Sequence, residues 1–416
     1  MDIPITRNDI EIMAPAGSYE SLMAAIQGGA NSVYFGVEQL NMRSKSANNF
    51  QLDKLGEIVA LCNEHKVKSY LTLNTIMYDN DLPMMRQIID KAKEAGVSAV
   101  IASDQSAILY AAKKGVEVHI STQLNISNIE TLKFYAKFAD VVVLARELTL
   151  EQVAEISHQI YAQNICGPKG ELIKLEMFAH GALCMSVSGK CYLSLHEYDK
   201  SANRGSCLQT CRRAYVVTDK ETGSQLEVDH EYIMSPKDLC TISFMDKMIR
   251  AGVTVFKIEG RARSGEYVKT VSRCYSEAAQ AIADGAYTKE RIEGWTKQLE
   301  GVFNRGFWGG YYLGKKLGEW SEVYGNRSPR RKEYVAKCTN YFSNLGVAEF
   351  LVESGELRVG DSILVLGPTT GVVEQIIAEI RVDLKATDVA KKGERCSIPI
   401  EKIRRSDRLY KWVENK

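Results

Sequence analysis

Residues 69–73, Ser-Tyr-Leu-Thr-Leu, form a short strand-like run that precedes an amphipathic stretch at Leu82–Ala95 and a second run at Ala99–Ser103. A strand, a helix and another strand in this order are typical of a βαβ unit, in which the two strands are parallel. The same alternation continues in both directions, from about residue 11 to residue 325. The sequence therefore predicts an α/β fold built on a parallel sheet.

The number of strand-like runs favours a closed sheet. The eight runs are Glu11–Ala14, Ser32–Phe35, Ser69–Leu73, Ala99–Ser103, Val116–Ser121, Asp140–Leu144, Leu172–Phe178 and Val253–Glu259. Helical patterns follow most of them, for example at Tyr19–Gln27, Asp53–Glu64 and Thr149–Ala162. Eight is the strand count of a (β/α)8 TIM-like barrel, which we predict in preference to an open, doubly wound sheet.

Two further regions complete the predicted domain organisation. A cysteine-rich insertion at about residues 179–252 separates the seventh and eighth runs, and it contains a helical pattern at Pro236–Ala251. Segments that follow strands emerge at the C-terminal face of such a barrel, where active sites lie. From residue 327 onward, short alternating runs and turn signals replace the helical patterns. We predict a barrel domain over residues 1–326 and a small C-terminal β-barrel over residues 327–416.

Composition limits the classes of partner. The 416 residues are 45% hydrophobic, which excludes wholesale disorder, and 53 basic residues against 52 acidic ones give no global attraction to nucleic acid. Residues 327–416 carry 17 lysines and arginines against 13 acidic residues. The basic stretches at 330–332 and 402–405 could contact phosphates or form a solvated surface. No signal peptide and no membrane-spanning run is recognised, so we expect a cytoplasmic protein without a membrane partner.

The cysteines are unevenly distributed. Five of the ten fall within 57 positions, at Cys184, Cys191, Cys207, Cys211 and Cys240. Cytoplasmic cysteines rarely form disulfides, so this concentration favours a ligand site. Structural zinc usually takes closely spaced cysteine pairs, whereas iron–sulfur clusters tolerate wide and irregular spacing. The spacing favours an iron–sulfur site, with zinc and buried thiols as alternatives.

Several motifs carry a family resemblance. Glu176-x-Phe178-x-x-Gly181-Ala182-Leu183-Cys184, followed by Ser188-Gly189-x-Cys191, resembles the signature of the collagenase-like U-type peptidase family. Further matching motifs are Ala14-Pro15-Ala16-Gly17, Asn203-x-Gly205-x-Cys207, Ser235-x-Lys237-Asp238-Leu239-Cys240 and Lys257-x-Glu259-Gly260-Arg261. The resemblance covers essentially the whole chain.

The resemblance implies hydroxylation chemistry. Several members of the family hydroxylate RNA or a quinone ring without oxygen, and this chain looks most like the branch that converts the wobble uridine of tRNA to 5-hydroxyuridine with prephenate. It implies a [4Fe–4S] cluster bound by Cys184, Cys191, Cys207 and Cys240, with Cys211 as the alternative third or fourth ligand. The implied partners are tRNA and prephenate, and a second subunit of the same family is a further possible partner. A cytidine of ribosomal RNA is the alternative RNA substrate.

Charged residues after the strands are candidates for catalysis and for binding the prephenate dicarboxylate. Arg43 and Arg261 follow the second and eighth runs, where a barrel would aim them at its mouth, although either could instead pair with Glu38 or Glu259. His180 and Glu259 are the candidate catalytic residues, and His180 could equally be a packed histidine.

A polar motif after the fifth run supplies the remaining candidates. Gln123 and Asn125 are predicted to bind substrate, the alternative being that they cap the next helix.

Two other classes of function stay open. A peptidase needs an activated nucleophile or a metal-bound water, and neither Gly-x-Ser-x-Gly nor His-Glu-x-x-His occurs. Cys184 with His180 could form a nucleophile pair, but iron bound at Cys184 would consume that nucleophile. The third class is a non-catalytic RNA-binding or assembly module with structural zinc.

Overall fold

A closed barrel forms the first part of the chain. The computed structural model describes residues 6–44, 49–226, 234–314, 318–321 and 325–415. The strands up to residue 308 are β1 (Glu11–Pro15), β2 (Ser32–Phe35), β3 (Lys68–Leu73), β4 (Ala99–Ala102), β5 (Val118–Ile120), β6 (Val141–Val143), β7 (Lys174–Gly181), β8 (Val217–Thr218), β9 (Gln225–Leu226), β10 (Asp238–Cys240), β11 (Val253–Ile258) and β12 (Phe307–Trp308). Strands β1 to β7 pair in sequence, and β11 pairs in parallel with both β7 and β1. The predicted eight-stranded parallel barrel is confirmed.

Helices surround this barrel. They are α1 (Tyr19–Gln27), α2 (Leu55–Glu64), α3 (Leu82–Ala95), α4 (Gln105–Lys114), α5 (Ile129–Ala136), α6 (Leu150–Ala162), α7 (Leu193–Tyr198), α8 (Met245–Arg250), α9 (Gly265–Ala283) and α10 (Lys289–Glu300). Three-residue 3₁₀ turns occur at Arg7–Asp9, Leu52–Lys54, Asp79–Asp81, Thr122–Leu124, Ala202–Arg204 and Thr210–Arg212. Helix α1 begins where Ser18 accepts a hydrogen bond from the Ser21 amide at 3.1 Å, and α3 ends at Gly96 in the left-handed region. None of the helices described is both long and apolar enough to span a lipid bilayer.

The barrel interior contains a buried ion pair. Nζ of Lys257 lies 2.7 Å from Oε1 of Glu176, and the two side chains are 7% and 0% exposed. The ammonium also lies 4.8 Å from the centre of the Tyr34 ring. Around the pair, apolar side chains such as Tyr70 and Val255 fill the interior. Charges this deeply buried are tolerated only when they are paired, so these two residues depend on each other.

Strand β10 corrects one prediction. The stretch 236–251 was expected to be helical, but Leu239 and Cys240 pair antiparallel with Gly181 and His180 at the end of β7. Helix α8 covers only the last part of that stretch. Because β7 runs three residues past its predicted end, its backbone offers hydrogen bonds to a segment about sixty residues away. This long-range pairing overrides the local helical pattern.

The C-terminal region is all β, as predicted. Its strands are β13 (Arg330–Phe342), β14 (Val347–Val352), β15 (Glu356–Arg358), β16 (Ser362–Gly367), β17 (Gly371–Ile376), β18 (Ile380–Val382), β19 (Lys385–Thr387), β20 (Val389–Lys391), β21 (Arg395–Pro399) and β22 (Arg408–Glu414). Eight of them form an antiparallel sheet in the order β17-β16-β22-β13-β14-β21-β18-β19, and β15 pairs with β20. They enclose their own apolar core, which includes Phe350 and Leu409. The domain boundary at residue 326 stays a prediction.

The C-terminal sheets contact the outer helices of the barrel. Gln27 of α1 exchanges hydrogen bonds with the backbone of Thr370 and Val372, at 2.9 and 3.0 Å. Lys332 forms an ion pair with Glu266 of α9 at 2.8 Å, and Arg331 pairs with Glu333 at 2.7 Å. The basic stretch at 330–332 is therefore engaged within the protein, which favours its structural interpretation over phosphate binding.

Candidate active site

Three arginines surround one carboxylate at the C-terminal mouth of the barrel. We call Arg43, Arg146, Arg261 and Glu259 the arginine site. Nη2 of Arg43 lies 3.1 Å from Oε1 of Glu259, and the Tyr34 hydroxyl lies 3.2 Å from Oε2. Burial raises the pKa of Glu259, but the three arginines outweigh it and hold that pKa below its usual value. The carboxylate is thus ionised near neutral pH, which favours a charge partner of Arg43 over a general acid.

Arg261 is the deepest cation of the arginine site. It is 6% exposed, and its Nη1 donates to Asn41 Oδ1 at 3.0 Å and to Thr72 Oγ1 at 2.8 Å. Burial lowers the pKa of Arg261 to about 10, so it remains charged at neutral pH. None of the carboxylates in the described part of the chain forms an ion pair with it. A buried guanidinium held only by neutral oxygens is suited to receive an anionic ligand.

Arg146 was not among the predicted site residues. Its guanidinium lies 3.8 Å from the centre of the Phe178 ring, and Nη1 donates to the Ala182 carbonyl at 3.3 Å. Its Nε is buried and has no hydrogen-bond partner among the residues that the structure describes. The residue follows the end of β6 by three positions, as Arg261 follows β11. The positional rule that selected Arg43 and Arg261 would have found Arg146 had it been applied to every strand.

His180 adjoins the arginine site through its backbone, since its carbonyl accepts a hydrogen bond from the Glu259 amide at 2.8 Å, but its ring packs elsewhere. Phe178 of β7 pairs with Lys257 of β11 and His180 pairs with Ile258, so Ala179 is an extra residue in β7. This β-bulge turns the His180 side chain outward. Its ring packs 5.3 Å from that of Phe307, beside Tyr267 and Tyr275. Burial lowers the pKa of His180 to about 3. This position favours the packed histidine over the predicted catalytic one.

Gln123 and Asn125 connect two loops. Asn125 Nδ2 donates to the Ser188 carbonyl at 3.0 Å, and the Gln123 side chain is hydrogen-bonded to Ser121 and lies 3.4 Å from Asn74 Nδ2. Both side chains are thus occupied by protein groups. Their contacts hold the loop that carries the Ser188-Gly189 motif against the end of β5, which favours a positioning role over direct substrate contact.

Four of the five clustered cysteines lie near one another. Cys184 is exposed, and Cys191, Cys207 and Cys211 are partly exposed, in loops of residues 184–216, which we call the cysteine segment. Burial raises the pKa of Cys211, Arg212 lowers it, and the other three cysteines raise it further. Such mutual influence places these thiols in one electrostatic neighbourhood. Within the described ranges, no three His, Cys, Asp or Glu side chains stand in metal-binding geometry.

Cys240 has a different environment from these four cysteines. It is buried in β10, 3.9 Å from the Tyr275 hydroxyl, and burial raises its pKa to about 11. The structure therefore favours Cys211 over Cys240 as the companion of the other three cysteines, although the ligand set itself stays a prediction.

The cysteine segment touches the arginine site. A side chain at Gly205, where φ is +81°, would place its Cβ 2.5 Å from the Asn41 carbonyl oxygen and 2.1 Å from Ser44 Oγ. Only glycine allows this approach to the loop that carries Arg43. Burial lowers the pKa of Arg43, but Glu259, Cys184 and Cys207 raise it above its usual value. The thiols of Cys184 and Cys207 thus lie close to the arginine site.

A cavity of about 340 Å³ lies at the opposite end of the barrel. Its lining residues include Glu11 and Lys68, the first residues of β1 and β3, and Glu117 and Lys169, which precede β5 and β7. These charges pair with each other: Lys68 Nζ lies 2.7 Å from Glu11, and Lys169 contacts Glu117. Paired charges at the N-terminal face of such a barrel serve stability. We therefore take the arginine site, not this cavity, as the candidate active site.

The lowered pKa of Glu259 predicts a pH dependence of stability. The unfolded chain has the higher pKa, so the ionised carboxylate contributes stability above about pH 4.3, and this contribution disappears as the pH falls through the folded-state value. We expect Glu259→Gln to lower the free energy of unfolding by about 1.5–3 kcal/mol near neutral pH and by much less in acid. Urea unfolding at several pH values measures this. Glu38→Gln, an exposed neighbour, should show no such trend; an equal loss at all pH values for Glu259→Gln would contradict the assignment.

Comparison with known proteins yields one family match and several relatives. The model of peptidase family U32 matches residues 17–322. A collagenase of Porphyromonas gingivalis is 61% identical over 406 residues, covering 97% of this chain and 98% of its own length. A tRNA hydroxylation protein of Bacillus subtilis is 30% identical over 366 residues, covering 86% and 83%. A 23S rRNA 5-hydroxycytidine synthase of Escherichia coli is 34% identical over 281 residues, covering 67% and 41%.

Proposed function

This chain belongs to peptidase family U32, and from that membership we propose that it hydroxylates tRNA, converting the wobble uridine to 5-hydroxyuridine with prephenate as a required metabolite. The observation that carries the proposal is the arginine site beside the cysteine segment. Three guanidinium groups against one carboxylate leave a surplus of positive charge at the mouth. Prephenate is a dicarboxylate, and arginine binds carboxylates through paired hydrogen bonds.

The relatives differ in their named activity and in their sequence identity to this chain. The relative that is 61% identical is called a collagenase, whereas those named for tRNA and rRNA hydroxylation are 30% and 34% identical. The tRNA relative covers more of both chains than the rRNA relative does. We therefore place tRNA before ribosomal RNA as the substrate, and the choice against a peptide rests on the chemistry of the site.

We further propose that Cys184, Cys191, Cys207 and Cys211 bind a [4Fe–4S] cluster. Four thiols on loops are the donor set that such a cluster requires. Their loops would have to draw together on binding, since ligands seldom stand preformed without the metal. Arg43 and Arg212 lie close enough to these thiols to offset the negative charge of thiolate ligands. When bound, the cluster would supply one-electron redox chemistry beside the arginine site.

Within this proposal, the residues of the arginine site have different roles in binding the ligand. Arg261 lies buried at the mouth, where it donates to the neutral oxygens of Asn41 and Thr72. Arg146 offers the N–H of its unpartnered Nε, and its guanidinium plane is fixed by Phe178. Glu259 orients Arg43 through their ion pair. Two guanidinium groups are thus free to bind carboxylates while the third is held in place.

Peptidase activity is the second candidate, because the collagenase relative favours it. The fold places Cys240 opposite His180 on paired strands, which makes them a Cys–His pair to consider. Burial raises the pKa of Cys240 to about 11 and lowers that of His180 to about 3. The pair is therefore a neutral thiol and a neutral imidazole, the reverse of an activated thiolate with an imidazolium. Both side chains are also buried from a peptide, and this disfavours proteolysis by the pair.

Nucleoside mass spectrometry of tRNA tests the proposed function. A strain that lacks this gene should lose 5-hydroxyuridine derivatives, and the wild-type gene should restore them. Arg261→Met should not restore them, because it removes the buried cation of the arginine site, whereas Arg250→Met, at a largely exposed arginine, should. Unchanged tRNA nucleosides together with cleavage of denatured collagen by the purified protein would overturn the proposal in favour of a peptidase.

A further inference from the structure

The cysteine segment carries an unusual share of exposed apolar side chains. Of the 17 large hydrophobic residues that are exposed in the described part of the chain, six lie between residues 184 and 216. They are Met185, Val187, Tyr192, Tyr198, Leu208 and Val216. Tyr192, adjacent to Cys191, is 74% exposed. Such concentrations of exposed apolar surface mark interaction sites in proteins of this kind.

Two arginine–tyrosine stacks flank this surface. The Arg204 guanidinium carbon lies 4.0 Å from the centre of the Tyr78 ring, and that of Arg213 lies 5.2 Å from the centre of the Tyr198 ring. Arg204 is held in addition by Asp81. Because the guanidinium groups are fixed, the stacks present preformed planar faces at both ends of residues 204–213, the stretch that contains Cys207 and Cys211.

The charge of the segment indicates the kind of partner. Residues 184–216 contain five lysines and arginines against two acidic residues, a net charge of +3 in a chain whose total is +1. Lys190 and Lys200 are exposed, and no carboxylate of the described residues forms an ion pair with either. A positive surface with exposed aromatic rings binds single-stranded nucleic acid, because phosphates meet the cations and bases stack on the rings. A near-neutral peptide would gain nothing from the charge.

We propose that Tyr192 and the two arginine–tyrosine stacks form a platform on which unpaired RNA bases lie while one base is presented to the arginine site. This inference rests on the proposed function, since it identifies the surface that would hold the RNA substrate. It assigns the recognition of RNA to the cysteine segment. Arg204 and Arg213 are paired there with Asp81 and Glu197 and serve as stacking faces. The exposed Lys190 and Lys200 supply the charge for the phosphates.

Fluorescence anisotropy with a labelled RNA hairpin that has an unpaired loop tests the platform, using the full chain prepared without oxygen. Tyr192→Ala should weaken binding by about fivefold or more, and Tyr78→Ala with Tyr198→Ala by more still, since each lost stack removes a base contact. Tyr192→Phe should bind like the wild type, because the ring is kept. Tyr161→Ala, at a tyrosine on α6 that is 51% exposed, is the control and should change nothing.

A second measurement does not depend on the folding of the tyrosine variants. Replacing Lys190 and Lys200 by Gln should reduce the slope of log Kd against log salt by about 0.7 for each lysine that contacts a phosphate. If the wild type binds the hairpin while the tyrosine and lysine variants bind it equally well, the platform is wrong and the proposed function stands. If the wild type binds no RNA, both are overturned. Loss of self-association or of collagen-peptide binding in the variants, with RNA binding intact, would assign the surface to that other partner.

Discussion

Replacing Cys211 by Ala should abolish the visible absorbance of the anaerobically reconstituted protein, whereas replacing Cys240 by Ala should leave it. Cys211 shares its surroundings with Cys184, Cys191 and Cys207. Cys240 is buried in β10 against the Tyr275 hydroxyl and pairs with His180 of β7. Since a [4Fe–4S] cluster needs four thiolates, the loss of one ligand should reduce iron well below about four atoms per chain.

Iron and sulfide analysis beside the absorbance spectrum checks this prediction. Cys62→Ala, at a fully buried cysteine of α2, is the control and should retain both iron and colour. Cys184→Ala should behave like Cys211→Ala. If Cys240→Ala lost the colour and Cys211→Ala kept it, the ligand set implied by the family resemblance would be correct and the set proposed from the structure wrong. A colourless wild-type protein with stoichiometric zinc would contradict both ligand sets.

Lys257→Met should destabilise the protein by about 3–5 kcal/mol, because it leaves the Glu176 carboxylate uncompensated inside the barrel. That is a large part of the total stability of about 5–15 kcal/mol usual for a folded domain. In the described part of the chain, the other oxygen of Glu176 already has no hydrogen-bond partner, so the carboxylate depends on this ammonium. Urea unfolding measures the loss.

Matched variants separate the buried charge from the lost side chain. The double change Lys257→Met with Glu176→Leu should recover much of the stability, because a buried ion pair replaced on both sides by apolar groups is often neutral. Lys289→Met, at an exposed lysine of α10, should change the free energy of unfolding by less than about 0.5 kcal/mol. A Lys257→Met variant as stable as Lys289→Met would show that water reaches Glu176 and that the pair is not buried in solution.

The sequence predicts the fold well because barrel formation depends on repeated local patterns. Runs such as 99–103 and 253–259 lie within two residues of the strands observed there. Arg43 and Arg261 were found by the same reasoning, since residues that follow parallel strands meet at one end of a barrel. Their partners were harder to predict: whether Arg43 pairs with Glu38 or with Glu259 depends on which loop folds inward.

The remaining differences arise from contacts between distant residues. The outward turn of His180 follows from one extra residue in β7 relative to β11, which no periodicity in β7 reveals. Cys240 resembles a ligand in its motif, but pairing with β7 places it in a strand. Spacing along the chain gives only the number of residues between two cysteines, so it could not distinguish Cys211 from Cys240. In the folded chain these two cysteines lie in different surroundings.

Strand β7 also limits how this protein can change over evolutionary time. It places Glu176 inside the barrel, Phe178 beneath Arg146 and His180 against the outer helices. The first two placements follow from the shared parity of their positions, and the third follows from the bulge after Phe178. Adding or removing one residue upstream of the bulge would exchange the two faces and expel the interior charge. We therefore expect homologous chains to vary freely in the loops around the mouth, while the length of this one strand stays constant.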